Sequence, residues 1–153
     1  MKALIVSALV FLACFSNVAK AFGTDEKWVS GWGQGISEAI ITRGPGNNIY
    51  VTCGNSEVNR TGISFMLRGR GPKGSSVQLT FDGSDPENYS IWTNSSMSIP
   101  SFCHACSGTY QKVIEKFKSH RTVHVKFENG DAAKFTLKGA SDAIGDCVPD
   151  FWK

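Results

Sequence analysis

Between Arg121 and Gly139 the chain reads RTVHVKFENGDAAKFTLKG. Val123, Val125 and Phe127 stand two residues apart, and beyond Asn129-Gly130 so do Ala133, Phe135 and Leu137. A period of two places each set on one face of a strand. Asn-Gly between two such runs favours a tight turn with positive φ at both central positions. The stretch therefore predicts an antiparallel hairpin over about 122–137, and a hairpin commits its neighbourhood to antiparallel pairing.

The same period recurs upstream at Ile49 and Val51, at Ile63, Phe65 and Leu67, and at Val77, Leu79 and Phe81. WVSGWG and SEAIITRG supply two more candidate strands. Gly44-Pro45-Gly46, Gly69 through Gly74, and Gly83 separate these runs. Two segments break the pattern. In TYQKVIEKFKSH, Tyr110, Val113, Ile114 and Phe117 recur three and four apart, with Lys112 and Lys116 on the other side, which predicts an amphipathic helix. Ser107 or Thr109 suits its start, and His120 and Arg121 its negative end. ASDAIGDC predicts a short helix beginning at Ser141. The expected fold is mainly β with one packed helix, an antiparallel β-sandwich-like or α+β arrangement held by disulfides.

Residues 1–21 have the makings of a cleaved secretory signal: one early Lys, an apolar run from Ala3 to Phe15, and Ala19-Lys20-Ala21. Phe11-Leu12-Ala13-Cys14 lacks the aliphatic residue of a lipoprotein box. Residues 22–153 then form a single domain. Without the two signal lysines its charge is (16 − 2) − 13 = +1, which makes no case for nucleic acid. No later apolar run is long enough to span a membrane. Cys53, Cys103, Cys106 and Cys147 remain after export, an even set that reads as two disulfides with the pairing open.

Cys103-His104-Ala105-Cys106 admits three readings. A thioredoxin-like redox centre needs a parallel strand before it and a βαβ frame around it. The preceding IWTNSSMSIPS is polar and contains a proline. Zinc needs four ligands, and this stretch offers three without a second knuckle. The staple reading remains, either with both cysteines bonded outward to Cys53 and Cys147 or with one bridge closed locally. No cofactor is expected.

Other residues are weighed similarly. His120 and His124 join His104 without a catalytic spacing, and the phase of His124 opposes Val123 and Val125. Asp82, Asp85 and Glu87 suit a turn better than a calcium loop or a paired-carboxylate site. RGRGPKG exposes Arg68, Arg70 and Lys73 among glycines. It reads as a mobile cationic loop for an anionic partner and is the first candidate for a binding surface. Trp28, Trp32 and Trp92 are candidate anchors for a sugar or protein. Asn59, Asn88 and Asn94 match the glycosylation pattern, read as unused because the signal looks bacterial.

Phe135, Leu137, Gly139, Ala140, Ala143 and Cys147 give the C-terminal half the pattern F-x-L-x-G-A-x-x-A-x-x-x-C. It resembles small exported bacterial proteins related to invasion-associated locus B, and is similar to periplasmic accessory proteins of type VI secretion. The resemblance implies a disulfide-bonded, β-sandwich-like periplasmic protein and brings no catalytic residues. The expected function is a non-enzymatic periplasmic or secreted binding protein, an inhibitor, immunity or exclusion factor acting on another protein of the envelope. The alternatives are a host-interaction or secretion-accessory factor, and a thiol-disulfide oxidoreductase using Cys103 and Cys106.

Overall fold

The computed structural model describes residues 22–55, 61–93 and 97–153. The expected signal segment and the acceptors Asn59 and Asn94 lie outside the described residues. Five strands make one antiparallel sheet in the order β1 (Val29–Gly33), β2 (Ile36–Thr42), β3 (Asn48–Gly54), β4 (Gly62–Met66), β7 (Ser98–Pro100). Four make the second, in the order β6 (Glu87–Ser90), β5 (Ser76–Phe81), β8 (Thr122–Phe127), β9 (Ala132–Thr136). Two α-helices follow β7 and β9: α1 (His104–Ser119) and α2 (Ala140–Ile144). A 3-10 turn, Asp150–Trp152, comes last. The chain is thus mainly antiparallel β with one packed helix.

Period two becomes burial in β3, β4, β5 and β8. Ile49 and Val51, Ile63 and Phe65, and Val77, Leu79 and Phe81 are all turned inward, as are Val123, Val125 and Phe127. His124 stands half-buried on the opposite face. One cluster takes in the inner faces of both sheets and the apolar side of α1, so no layer has a core of its own. Phe117 of α1 lies 5.6 Å from Trp28 and 6.0 Å from Phe81, ring centre to ring centre.

The 122–137 hairpin forms with a different turn. Phe127 N–H donates to Asp131 O at 2.9 Å and Gly130 N–H to Phe127 O at 3.0 Å. Only Gly130 (φ 92°) has positive φ in this turn. Three residues therefore form the loop, a type I turn closed by a left-handed glycine. Asn129 stays out of the left-handed region because its Oδ1 accepts from Asp131 N–H at 3.0 Å, an Asx turn. Turns with positive φ at both central positions occur instead at Gln34-Gly35 (52° and 79°), joining β1 to β2, and also at Arg68-Gly69 and Asp82-Gly83.

Two strands were not legible. β6 carries Asn88, exposed as a glycosylation acceptor would be, within what reads as a turn. β7 is three residues long and pairs with β4 at the edge of its sheet, where Pro100 costs no interior hydrogen bond. Asp82 terminates β5 as a turn residue. Its carboxylate accepts from the backbone N–H groups of Arg121 and Thr122, and these bonds hold its pKa below the usual carboxylate range.

Glu87 ties β6 to α1. Its carboxylate meets the ammonium groups of Lys116 and Lys112, the latter at 3.0 Å, and accepts from Tyr89 Oη at 2.8 Å. These partners, Lys116 foremost, then Tyr89 and Lys112, draw its pKa from 4.5 down to about 2. A depressed folded pKa contributes stability that is present above 4.5 and is lost as pH falls toward 2. Denaturant midpoints measured from pH 6 to pH 2, spanning that window, should fall less steeply in Glu87→Gln than in the native chain. Parallel curves would remove the linkage.

Candidate functional site

β7 delivers the chain to Ser101, which is fully buried and donates to Thr61 O at 2.8 Å. Phe102 then turns outward and Cys103 caps α1 from extended backbone (φ −122°, ψ 158°). The helix starts well before Ser107, which is buried inside its second turn and donates to His104 O at 2.7 Å. Thr109 likewise lies within the helix, its hydroxyl donating to Ala105 O at 3.3 Å. Sulfur takes the capping role that oxygen usually fills. Cys106 N–H donates to Cys103 Sγ at 3.2 Å, and Cys103 N–H to Cys106 Sγ at 2.8 Å.

The open pairing resolves into one local and one distant bridge. Cys103 and Cys106 lie at disulfide distance with Cα atoms 5.2 Å apart, and Cys53 and Cys147 with Cα atoms 5.5 Å apart. The strand before the pair is an antiparallel edge strand, and among the described residues every strand pairing is antiparallel, which leaves no βαβ frame. Among the described residues no three metal-ligating side chains gather.

Exposed rings surround the Cys103–Cys106 bridge. Trp92 meets Phe102 edge-on at 5.3 Å, and His104 meets Phe151 edge-on at 5.5 Å. Trp92, Phe102 and Phe151 each keep about half their surface in water. Met97, also exposed, lies against Gly71, where an added Cβ would come within 2.5 Å of its sulfur. The basic tip thus touches Met97, whose neighbour Ser98 bridges to Trp92, and Arg68, Arg70 and Lys73 are all exposed.

That tip is held. Leu67 and Arg70 exchange backbone hydrogen bonds at 2.9 and 3.0 Å across a turn with positive φ at Arg68 and Gly69. Gly69 N–H donates to Gly46 O at 2.7 Å, and Arg68 N–H to Asn47 Oδ1 at 2.9 Å. A Cβ at Gly46 would sit 2.5 Å from Gly69 N, so only glycine allows this approach. The expected mobile loop is held at its Leu67–Arg70 turn. Arg68 lies 3.5 Å from Asp131, and with the arginine largely in water the pair carries small energetic weight.

The remaining candidates disperse. Asp82 and Glu87 serve the contacts described above, on different neighbours. His120 is the C-cap of α1 and packs on Phe81 at 5.1 Å. Trp28 is core, its indole N–H donating to Thr136 O at 3.1 Å. Phe102, Met97, Phe151 and Trp152 were missed. Their segments lack a period of two or 3.6, so nothing in sequence separates outward apolar residues from core.

A family model described as YfjT matches residues 26–144, and no relation to invasion-associated locus B is shown. Neither the curated proteins nor the solved structures contain a match. The matched span runs from before β1 through α2 and takes in well over half the chain, and the protein accordingly belongs to the YfjT family.

Proposed function

We propose that the chain is an exported binding protein without catalysis of its own, presenting a fixed aromatic face with a basic border to another protein of the envelope or exterior. One observation carries this reading: Trp92, Phe102, His104 and Phe151 stand in two edge-on pairs at the start of α1, linked through Met97 and Gly71 to a basic tip that is pinned at Arg68–Arg70. Exposed aromatic clusters on rigid supports mark docking sites, because half-exposed rings are cheap to bury and Trp dominates binding hot spots. Arg68, Arg70 and Lys73 add complementarity to an acidic rim and speed encounter. Two cysteine pairs at disulfide distance suit an oxidising compartment. An inhibitor, immunity or exclusion factor acts by such docking. The accessory role implied by the resemblance is the same act with a different partner.

The test is recovery of a partner from envelope extract by the mature chain and by two variants. Trp92→Ala/Phe102→Ala should lower recovery about tenfold or more, the scale of a lost hot spot. Arg68→Ala/Arg70→Ala should lower it mainly at low salt. Both variants change exposed residues and should keep the native melting curve. Recovery unchanged in both would sink the docking reading.

A second reading, thiol-disulfide exchange, is favoured by the position of the local pair. Cys103 is exposed at the positive end of α1, whose first turn holds no acid. A thiolate released there would keep its bond from Cys106 N–H. A partner thiolate would attack one sulfur and form a mixed disulfide. The partner's second thiol would then resolve it, leaving the partner oxidised and the Cys103–Cys106 pair reduced.

A further inference from the structure

On another part of the surface, two tryptophans line one hollow. Trp32 of β1 is 75% exposed and Trp152 of the 3-10 turn 53%. Between them lies an open groove of about 570 Å³, lined also by Ser37, Asn55, Asp146 and Val148, with Cys53 among its walls. Ser37 is the register partner of Trp32 across the β1–β2 hairpin, so the hydroxyl and the indole share one face.

We infer that this groove binds a neutral saccharide chain, with the two indoles stacking on pyranose faces. The inference goes beyond the docking reading and does not rest on it. Three observations carry it. First, an indole three-quarters in water at a tight hairpin contributes little to the core, whereas a ligand covering it would remove a large apolar face from solvent. Second, Trp152 is positioned. Its neighbour Lys153 sends Nζ to Gly54 O, to Thr61 Oγ1 at 2.9 Å and to Asp150 Oδ1 at 2.7 Å, while Asp150 Oδ2 accepts from Thr61 N–H at 2.9 Å. This nearly buried pair, with side chains 15% and 3% exposed, fixes the 3-10 turn against β3 and β4. Third, charge selects the ligand. Lys153, the cation among the described lining residues, is neutralised by Asp150, and Asp146 disfavours an anion. Ser37, Asn55 and Asp146 are short polar groups on the rim of an apolar hollow. That pattern suits a ring with an apolar C–H face and a hydroxyl edge.

The test is titration of the mature chain with neutral chito- and cello-oligosaccharides and with a soluble sulfated polysaccharide, read by tryptophan fluorescence and by calorimetry. A neutral oligosaccharide should bind with a dissociation constant of about 0.1–1 mM, as two stacked rings on an open groove would give. Trp32→Ala and Trp152→Ala should each weaken it at least about tenfold, Trp32→Phe should restore most of it, and Trp92→Ala should leave it unchanged. The expected Trp92→Ala result also keeps this site distinct from the docking face. The inference is overturned by the absence of binding at about 10 mM of every neutral sugar, by affinity that survives Trp32→Ala and Trp152→Ala, or by binding confined to the sulfated chain.

Discussion

Replacing Cys53 and Cys147 together by alanine should lower stability by about 5–8 kcal/mol in all, and the melting point by roughly 20 °C. The bridge joins residues 94 apart, so in its absence the unfolded chain regains the freedom of a very long loop. A second cost comes from Tyr110. Its hydroxyl, on a fully buried side chain, donates to Cys147 Sγ at 2.7 Å, since a bridged sulfur has no proton to give. Alanine removes that acceptor and adds about 1–3 kcal/mol. The contrasting variant is Cys103→Ala/Cys106→Ala. Its bridge spans a separation of three, and the same entropy argument gives only about 2 kcal/mol. A distant bridge worth no more than the local one, in thermal melts of the two variants, would refute this ordering. Titration with glutathione separates staple from exchange centre. Under the exchange reading the exposed local pair reduces while Cys53–Cys147 stays closed, and Cys103→Ala/Cys106→Ala loses transfer to a dithiol peptide. If both bridges resist reduction alike, the exchange reading fails.

Phe117→Ala should cost about 3–5 kcal/mol, the range for deleting a fully buried ring. The side chain is inaccessible to water and stands between Trp28, which precedes β1, and Phe81, which ends β5. It therefore binds the helix to both sheets at once, and the void opens where three layers meet. Phe117→Leu leaves a smaller void and should cost about half as much, which guards against a variant that does not fold. Chemical denaturation of both variants gives the comparison. Equal costs for the two, or a loss under about 1 kcal/mol for alanine, would mean the site collapses and Phe117 does not join the layers.

The architecture could be read from the sequence because it depends on periodicity. Val77, Leu79 and Phe81, like Val123, Val125 and Phe127, face inward as their spacing requires, and the 3.6 period of Tyr110, Val113, Ile114 and Phe117 gives the buried side of α1. Local chemistry was harder to read. Asn129-Gly130 suggested one turn and the chain made another, because an Asn side chain can satisfy its own backbone. The cap of α1 was placed too late because sulfur is an unusual acceptor there. β7 was hidden by Pro100, which an edge strand tolerates. The basic tip was visible as Arg68, Arg70 and Lys73, but its fixation by Gly46 is a contact between distant segments that no local pattern encodes. The aromatic face was half visible. Trp92 stood out as a residue type, whereas Phe102 and Phe151 acquire meaning only once folding turns them to water beside one another.

The Cys53–Cys147 link makes a covalent ring of everything between those two residues, from the end of β3 through both helices. A protease that clips any one loop within that ring opens it without releasing a fragment. The cut ends stay tethered, and the strands on either side of the nick still share a single core. Outside a cell, where proteolysis is common, such a chain can be cut once and remain one molecule.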